Sequence, residues 1–133
     1  MGAVIGSVDH RRRPLVRVQP ADGRDSFLAQ LDTGFNGELF MAADHAARLG
    51  IRLFEGVTTV EVAGRVRQQV QRGIETINWM GVRRRVEVFV SQAIPQGVSL
   101  PDEPVALLGT GLLFPHFLLI DFLGATVEIE AQD

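Results

Sequence analysis

Apolar and polar side chains alternate over most of this 133-residue chain, with the period of two that marks strands burying one face. Residues 14–19 (Pro-Leu-Val-Arg-Val-Gln) and 25–31 (Asp-Ser-Phe-Leu-Ala-Gln-Leu) predict the two arms of a hairpin, and Asp22-Gly23 between them suits a turn that needs positive φ. Val4-Ile5-Gly6 predicts a short edge strand. From residue 51 to 90 the pattern is nearly all β. Residues 58–72 read as one hairpin with Ala63-Gly64-Arg65 near its tip, and residues 74–79 and 82–90 as another about Met80-Gly81. In that second hairpin Val86, Val88 and Val90 face one way and Arg85, Glu87 and Phe89 the other. Residues 117–122 and 126–130 predict two last strands joined by Leu123-Gly124-Ala125.

Two stretches depart from strand periodicity. Residues 42–50 are rich in alanine and end at Gly50, which suits a brief helix with a glycine cap and leaves His45 as an exposed helical residue. Residues 105–113 read as a buried strand that breaks at Gly109-Thr110-Gly111 into a short helix. Residues 91–104 hold three prolines and predict a loop. Many short strands with one or two short helices make a small, closed, mainly-β barrel. The expectation is one domain over residues 1–133, with its core at about residues 14–130.

Composition narrows the functional classes. An apolar share of 46% and a charged share of 22% are ordinary for a globular domain with a real core. The net charge of −3 argues against non-specific nucleic-acid binding, although all 13 basic residues are arginine. His10-Arg11-Arg12-Arg13 and Arg83-Arg84-Arg85 therefore read as a solvated loop and a wet strand end. The absence of cysteine excludes disulfides and thiolate metal sites and fits a reducing compartment. Residues 1–7 lack the apolar stretch of a signal peptide. Residues 105–120 are too short and too interrupted for a membrane span. The expectation is a cytoplasmic protein that engages neither nucleic acid nor membrane.

The candidate chemistry begins at Leu31-Asp32-Thr33-Gly34, where an apolar strand delivers a carboxylate, a hydroxyl and a permissive glycine to one turn. Asp32 alone reads equally as a turn residue capping local N–H groups. His10, His45 and His116 share no metal-ligand spacing, so no metal and no cofactor are expected. Gly109-Thr110-Gly111 lacks the third glycine of a dinucleotide loop. No serine has a nucleophile-elbow context. Asp121 reads as a strand-end residue satisfied by backbone, and Trp79 as core packing beneath the 58–72 hairpin.

Apolar-Asp-Thr-Gly followed about 77 residues later by Leu107-Leu108-Gly109, Leu112-Leu113 and a short helix resembles the retropepsin-like (clan AA) aspartic proteases, the single-domain relatives of pepsin that include the retroviral enzymes. The resemblance spans residues 14–129, and bacterial proteins of this type often carry a bulky residue after Asp-Thr-Gly, as Phe35 does here. It implies half an enzyme. Two copies pair about a two-fold axis, and each contributes one Asp32 to a carboxylate dyad that activates water. Thr33 would hold the two loops in register, and Gly34 would let the backbone approach the partner and an extended peptide. Phe35 and Asn36, with Ala63, Gly64 and Arg65 at the tip of a closing flap, would contact the substrate. Residues 126–130 would enter an intersubunit sheet. The chain departs from the retroviral pattern where those enzymes pair an Asp with an Arg, because the matching positions are Asn36 and Thr110. The flap also has few glycines. A second reading, a retropepsin-like module that binds peptides or assembles partners without cutting, follows from those departures.

Overall fold

The computed structural model describes residues 3–62, 66–92 and 103–132. In chain order its strands are β1 (Ala3–Val8), β2 (Pro14–Pro20), β3 (Phe27–Leu31), β4 (Leu39–Ala42), β5 (Arg52–Leu53), β6 (Thr58–Val62), β7 (Val66–Trp79), β8 (Val82–Ser91), β9 (Ala106–Leu108), β10 (Phe117–Asp121) and β11 (Thr126–Glu130). Helix α1 (Ala43–Leu49) follows β4, and α2 (Thr110–Leu113) follows β9. The mainly-β domain foreseen from periodicity is what the chain builds.

Among the described residues the strands form one continuous sheet in the order β10-β11-β1-β2-β3-β9-β4-β8-β7-β5, and β6 pairs only with β7. The sheet closes on itself because β2 also pairs with β7, matching Gln19 to Asn78 and Pro20 to Ile77. β2, β3, β9, β4, β8 and β7 thus make a closed six-stranded barrel. Closure removes the exposed strand edges that an open sheet of this size would present. β11, β1 and the edge strand β10 extend from its β2 side as a three-stranded flange.

Alternation fills the barrel. Val16 and Val18 from β2, Phe27, Ala29 and Leu31 from β3, and Val86, Val88 and Val90 from β8 all point inward and are buried. Leu39, Leu108, Ile77 and Leu112 complete the interior. Fully burying an aliphatic side chain of this kind contributes roughly 1.5–3 kcal/mol, so the barrel interior is the main source of stability. Two glycines hold tight geometry. Gly50 stops α1 at φ 70°, its N–H reaching back to the Ala46 and Ala47 carbonyls. The β7–β8 hairpin turns on Met80 and Gly81 at φ 53° and 83°, the mirror-image turn that matches strand twist.

Several expectations need correction. β1 is not an edge, because β11 and β2 take its two sides. β11 likewise lies between β1 and β10, so it has no free edge for an intersubunit sheet. β7 is one strand of 14 residues rather than two segments. Gly73, between the two expected segments, lets β5 pair closely alongside β7: a Cβ there would sit 2.9 Å from the Arg52 carbonyl oxygen. Trp79 is a core residue at 3% exposure, its ring 6.5 Å from that of His116. It ends β7 at the opposite end from the β6 pairing, so it does not lie beneath that hairpin. His45 is buried at 8% exposure, because α1 turns that face onto the barrel. Asp121 is exposed, and its carboxylate accepts from the Gly124 N–H at 2.9 Å as expected of a strand end.

The first basic run is organised rather than merely solvated. His10, Arg11 and Arg12 are exposed, but Asp9 folds the β1–β2 turn by accepting from the Arg11 and Arg13 N–H groups. The Arg13 guanidinium pairs with Asp9 at 2.7 Å and with Glu103 at 3.1 Å, tying the start of the barrel to the approach to β9. The hydrogen bond from Arg13 draws the Asp9 carboxyl down to about 2 and lowers that of Glu103 as well. A carboxyl lowered on folding adds stability above its unfolded value, and that stability disappears as pH falls through the folded value. Asp9→Asn is therefore expected to lower the urea midpoint by a constant amount from neutral pH down to about 4. The gap to the parent should close between about pH 4 and pH 2, measured by denaturation at a series of pH values.

Candidate active site

Asp32 sits where β3 leaves the barrel wall. β9 runs parallel to β3, matching Leu31 to Leu108, and antiparallel to β4, matching Leu39 to Leu108. The chain from Asp32 to Glu38 therefore has to loop around the end of β9 to reach β4. Each turn of that loop is tied to the segment it encircles. The Asp32 N–H donates to the Leu108 carbonyl at 2.9 Å, the Gly109 N–H to Glu38 at 3.0 Å, the Thr110 N–H to Phe35 at 2.8 Å and the Gly111 N–H to Gly37 at 3.0 Å.

This threading explains the apolar-apolar-Gly pattern. Leu108 is fully buried, anchoring β9 in the core. The next residue must pass through the loop without a side chain: a Cβ on Gly109 would lie 2.4 Å from both the Phe35 and Gly37 carbonyl oxygens. A Cβ on Gly111 would meet Gly37 backbone at 2.9 Å. Beyond the constriction α2 begins, and Leu112 and Leu113 return to the core.

Within the loop the Asp32 carboxylate is half-buried, and its Oδ1 accepts from the Gly34 N–H at 2.9 Å. That contact alone is what any aspartate opening a turn would make. What sets this turn apart is that the backbone on both sides of it is fastened to β9 and α2, so the backbone presenting the carboxylate is held in place. Among the described residues Oδ2 accepts no hydrogen bond. Thr33 and Gly34 are exposed beside it, at the mouth of the loop.

The expected substrate contacts divide. The Phe35 ring is 1% exposed and packs edge-on against Phe40 and Phe89, at centroid distances of 5.9 and 6.0 Å. Phe35 is therefore a core residue that supports the loop from below, and its expected place in the substrate cleft is corrected. Asn36 is exposed. β6 and β7 form the expected hairpin, pairing Thr58 with Val70 through to Val62 with Val66, while Ala63, Gly64 and Arg65 lie outside the described residues.

Sequence reasoning missed Glu38 and Arg84. The Glu38 carboxylate accepts from Arg84 at 2.7 Å and from the Glu87 N–H at 2.8 Å, and Arg84 also reaches the Gly111 carbonyl at 3.3 Å. Arg84 is thus no wet strand end, but one end of a clamp joining the loop, β8 and α2. At Thr110, which lacks the charge of the retroviral arginine, the hydroxyl instead donates to the Phe35 carbonyl at 3.3 Å. No spacing rule pairs Glu38 with Arg84, since the contact exists only once β4 and β8 lie side by side.

Two substitutions test the threading and the clamp. Gly109→Ala should cost about 3 kcal/mol, because the added methyl meets backbone rather than a movable side chain. Glu38→Ala should cost roughly 1–3 kcal/mol by leaving the Glu87 N–H and Arg84 without their acceptor. Urea denaturation of the two variants against the parent reads both.

No protein-family model matches the chain, and no curated protein matches it. Solved structures do. A retropepsin-like aspartic protease from Rickettsia conorii superposes over 96% of this chain and 89% of its own, with a TM-score of 0.64 at 16% identity. EIAV protease, solved with an inhibitor, covers 79% of this chain and 88% of its own, with a TM-score of 0.55 at 23% identity. Conglutin gamma, a basic 7S globulin from lupine seeds, matches 98% of this chain over 49% of its own, with a TM-score of 0.58 at 9% identity. The strand order, the threaded loop and these neighbours agree: the chain has the retropepsin-like fold of the aspartic proteases.

Proposed function

We propose that this protein is a homodimeric aspartic endopeptidase in which each subunit supplies one Asp32. The observation that carries the reading is the Asp32 carboxylate itself, oriented by the Gly34 N–H on a loop locked around Gly109. One carboxylate cannot both accept and donate protons at neutral charge. Two of them about 3 Å apart share a single proton, since both cannot ionise together. The ionised member takes a proton from a water lying between them, and that water attacks the peptide carbonyl carbon. The protonated member passes its proton to the carbonyl oxygen, giving a neutral tetrahedral diol. Collapse of the diol breaks the C–N bond, with a proton delivered to the departing amine. Each subunit brings only one Asp-Thr-Gly, so the second carboxylate has to come from a second copy.

In this reading Thr33 lies at the subunit boundary and steadies the paired loops, while Gly34 admits the partner and the substrate backbone. The substrate is an extended peptide laid as an added strand between Asn36 and the flap, whose arms are β6 and the first part of β7. Ala63, Gly64 and Arg65 close over it and exclude water from the dyad. The reaction needs no metal and no cofactor.

The test is cleavage of a mixed peptide library by the purified protein between about pH 4 and pH 7, where shared-proton carboxylates act. Asp32→Asn is expected to lower the rate by at least 10²–10⁴-fold, roughly the contribution of a positioned acid–base group, while sedimentation still reports a dimer. A dimer that cuts nothing at any of these pH values would instead support a non-catalytic peptide-binding or assembly module. Asn36 and Thr110, which stand where retroviral enzymes pair opposite charges, and the few flap glycines give that second reading its support.

A further inference from the structure

A buried polar atom without a partner is rare in a folded protein, and each one calls for a reason. Among the described residues three side-chain atoms qualify: Trp79 Nε1, His116 Nδ1 and Gln68 Oε1. The first two belong to neighbouring rings, 6.5 Å apart, at the Trp79 end of β7. Gln68 lies toward the other end of the same strand, in the hairpin with β6. That hairpin has two unlike sides. Thr59, Arg67 and Gln69 are exposed, whereas Thr58 and Val60 are half-buried and Val70 is fully buried. Register puts Gln68 on the shielded side, opposite Val60 and two residues from Val70.

Because β7 runs unbroken into the barrel wall, that side can be followed across the sheet. Phe89 lies opposite Arg72, Phe40 beside Phe89, Leu107 opposite Phe40 and Gln30 beside Leu107. These side chains face away from the barrel interior, since Leu39, Met41, Val88 and Val90 between them point inward and are buried. Asp32 follows Leu31 and so leaves β3 on the side of Gln30. The shielded side of the hairpin, the half-buried apolar row Leu107-Phe40-Phe89 and Asp32 therefore share one side of the sheet.

We propose that Gln68 is a specificity-determining residue, whose carboxamide pairs with the carboxamide of an Asn or Gln side chain in an extended peptide lying between the hairpin and that row. The proposal rests on the peptide reading of the Asp32 site given above and names what that site selects. A peptide added as a strand has its backbone groups taken by main-chain bonding, so its side chains carry the selection. Gln68 presents an acceptor and a donor on one planar group, and a second carboxamide matches both at once. Charge argues the same way. Around Gln68 the shielded side holds Thr58, Val60 and Val70, none of them charged. Arg72 and Glu87, the next charged residues along that side, pair with each other, the Arg72 Nε donating to Glu87 at 2.7 Å. A Lys, Arg, Asp or Glu side chain brought there would lose its water without gaining a counter-charge. An aliphatic side chain would leave Oε1 shielded and unpaired, and Leu107, Phe40 and Phe89 carry no donor to serve it instead. A neutral amide suffers neither penalty.

The test reads selection separately from turnover. A library of octapeptides randomised at every position is passed over immobilised Asp32→Asn protein, which keeps the cleft and lacks the proposed dyad, and the retained peptides are sequenced. Asn and Gln are expected to be enriched together at one position over Leu and Glu by roughly tenfold, the worth of one neutral hydrogen bond. Adding Gln68→Met, which keeps the length of the side chain and removes its amide, should abolish that enrichment without lowering the urea midpoint. Adding Gln69→Met, on the exposed side of the same strand, should leave it unchanged. Retention of no peptide, no position enriched in amides, or an enrichment that survives Gln68→Met overturns the proposal. Peptide cuts by the parent protein that show no amide preference also overturn it, and leave the Asp32 mechanism standing. Amide-selective retention, with no retained peptide cut by the parent between about pH 4 and pH 7, upholds the recognition and sinks the peptidase reading.

Discussion

The passage of Gly109 through the Asp32 loop is the constraint on which the rest of the molecule depends. Parallel pairing of β9 with β3 and antiparallel pairing of β9 with β4 force the intervening chain to encircle β9. Four backbone hydrogen bonds then close the ring around it. Once the ring is closed, the barrel wall is continuous on both sides of β9, and the backbone that carries the carboxylate cannot drift without breaking hydrogen bonds to β9 and to the start of α2. Conformational entropy usually leaves loops mobile. Here the loop that carries Asp32 is built into the core packing, with Phe35 buried beneath it and Glu38 clamped at its far end.

That arrangement also accounts for a missing ion pair. Retropepsin-like sequences of the retroviral type tie the loop to the segment after β9 with opposite charges. This chain has Asn36 and Thr110 there and makes the connection twice over by other means. The Thr110 hydroxyl and N–H both reach the Phe35 carbonyl, and Glu38 with Arg84 carries the charged link to β8 and Gly111. The mechanical task is preserved while the residues that perform it have moved.

Much of this was legible in the sequence, for identifiable reasons. Period-two alternation located the barrel strands because each buries one face, and Asp-Thr-Gly with the distant Leu-Leu-Gly marked the two halves of the threaded loop. The errors arose where three-dimensional neighbours decide. β1 and β11 look like termini free to pair outward, yet they pair with each other. Residues 58–72 and 74–79 look like separate segments, yet Gly73 between them is paired on both sides, with β5 and with β8. Phe35 follows Asp32-Thr33-Gly34 and looks like a cleft residue, yet Phe40 and Phe89 arrive from β4 and β8 to enclose it. Arg84 sits in a basic run, and only the β4–β8 pairing reveals its partner. Local pattern carries strand identity well and tertiary partnership poorly.

The length of β7 has a mechanical consequence. From Val70 to Trp79 the strand is bonded to β8 along the barrel wall, and before Val70, among the described residues, it pairs only with β6, which pairs with no other strand. The hairpin is therefore a springboard: a rigid root set into the wall and a two-stranded board projecting from it. In the proposed peptidase such a lever would bend near its root rather than at its tip, so a low glycine content along the board would not stiffen flap closure. The root lies at Val70 to Gly73, where β5 pairs antiparallel with β7 at close backbone contact. If the hairpin is the flap of the proposed peptidase, whatever loads the β5 pairing sets the spring constant of that flap.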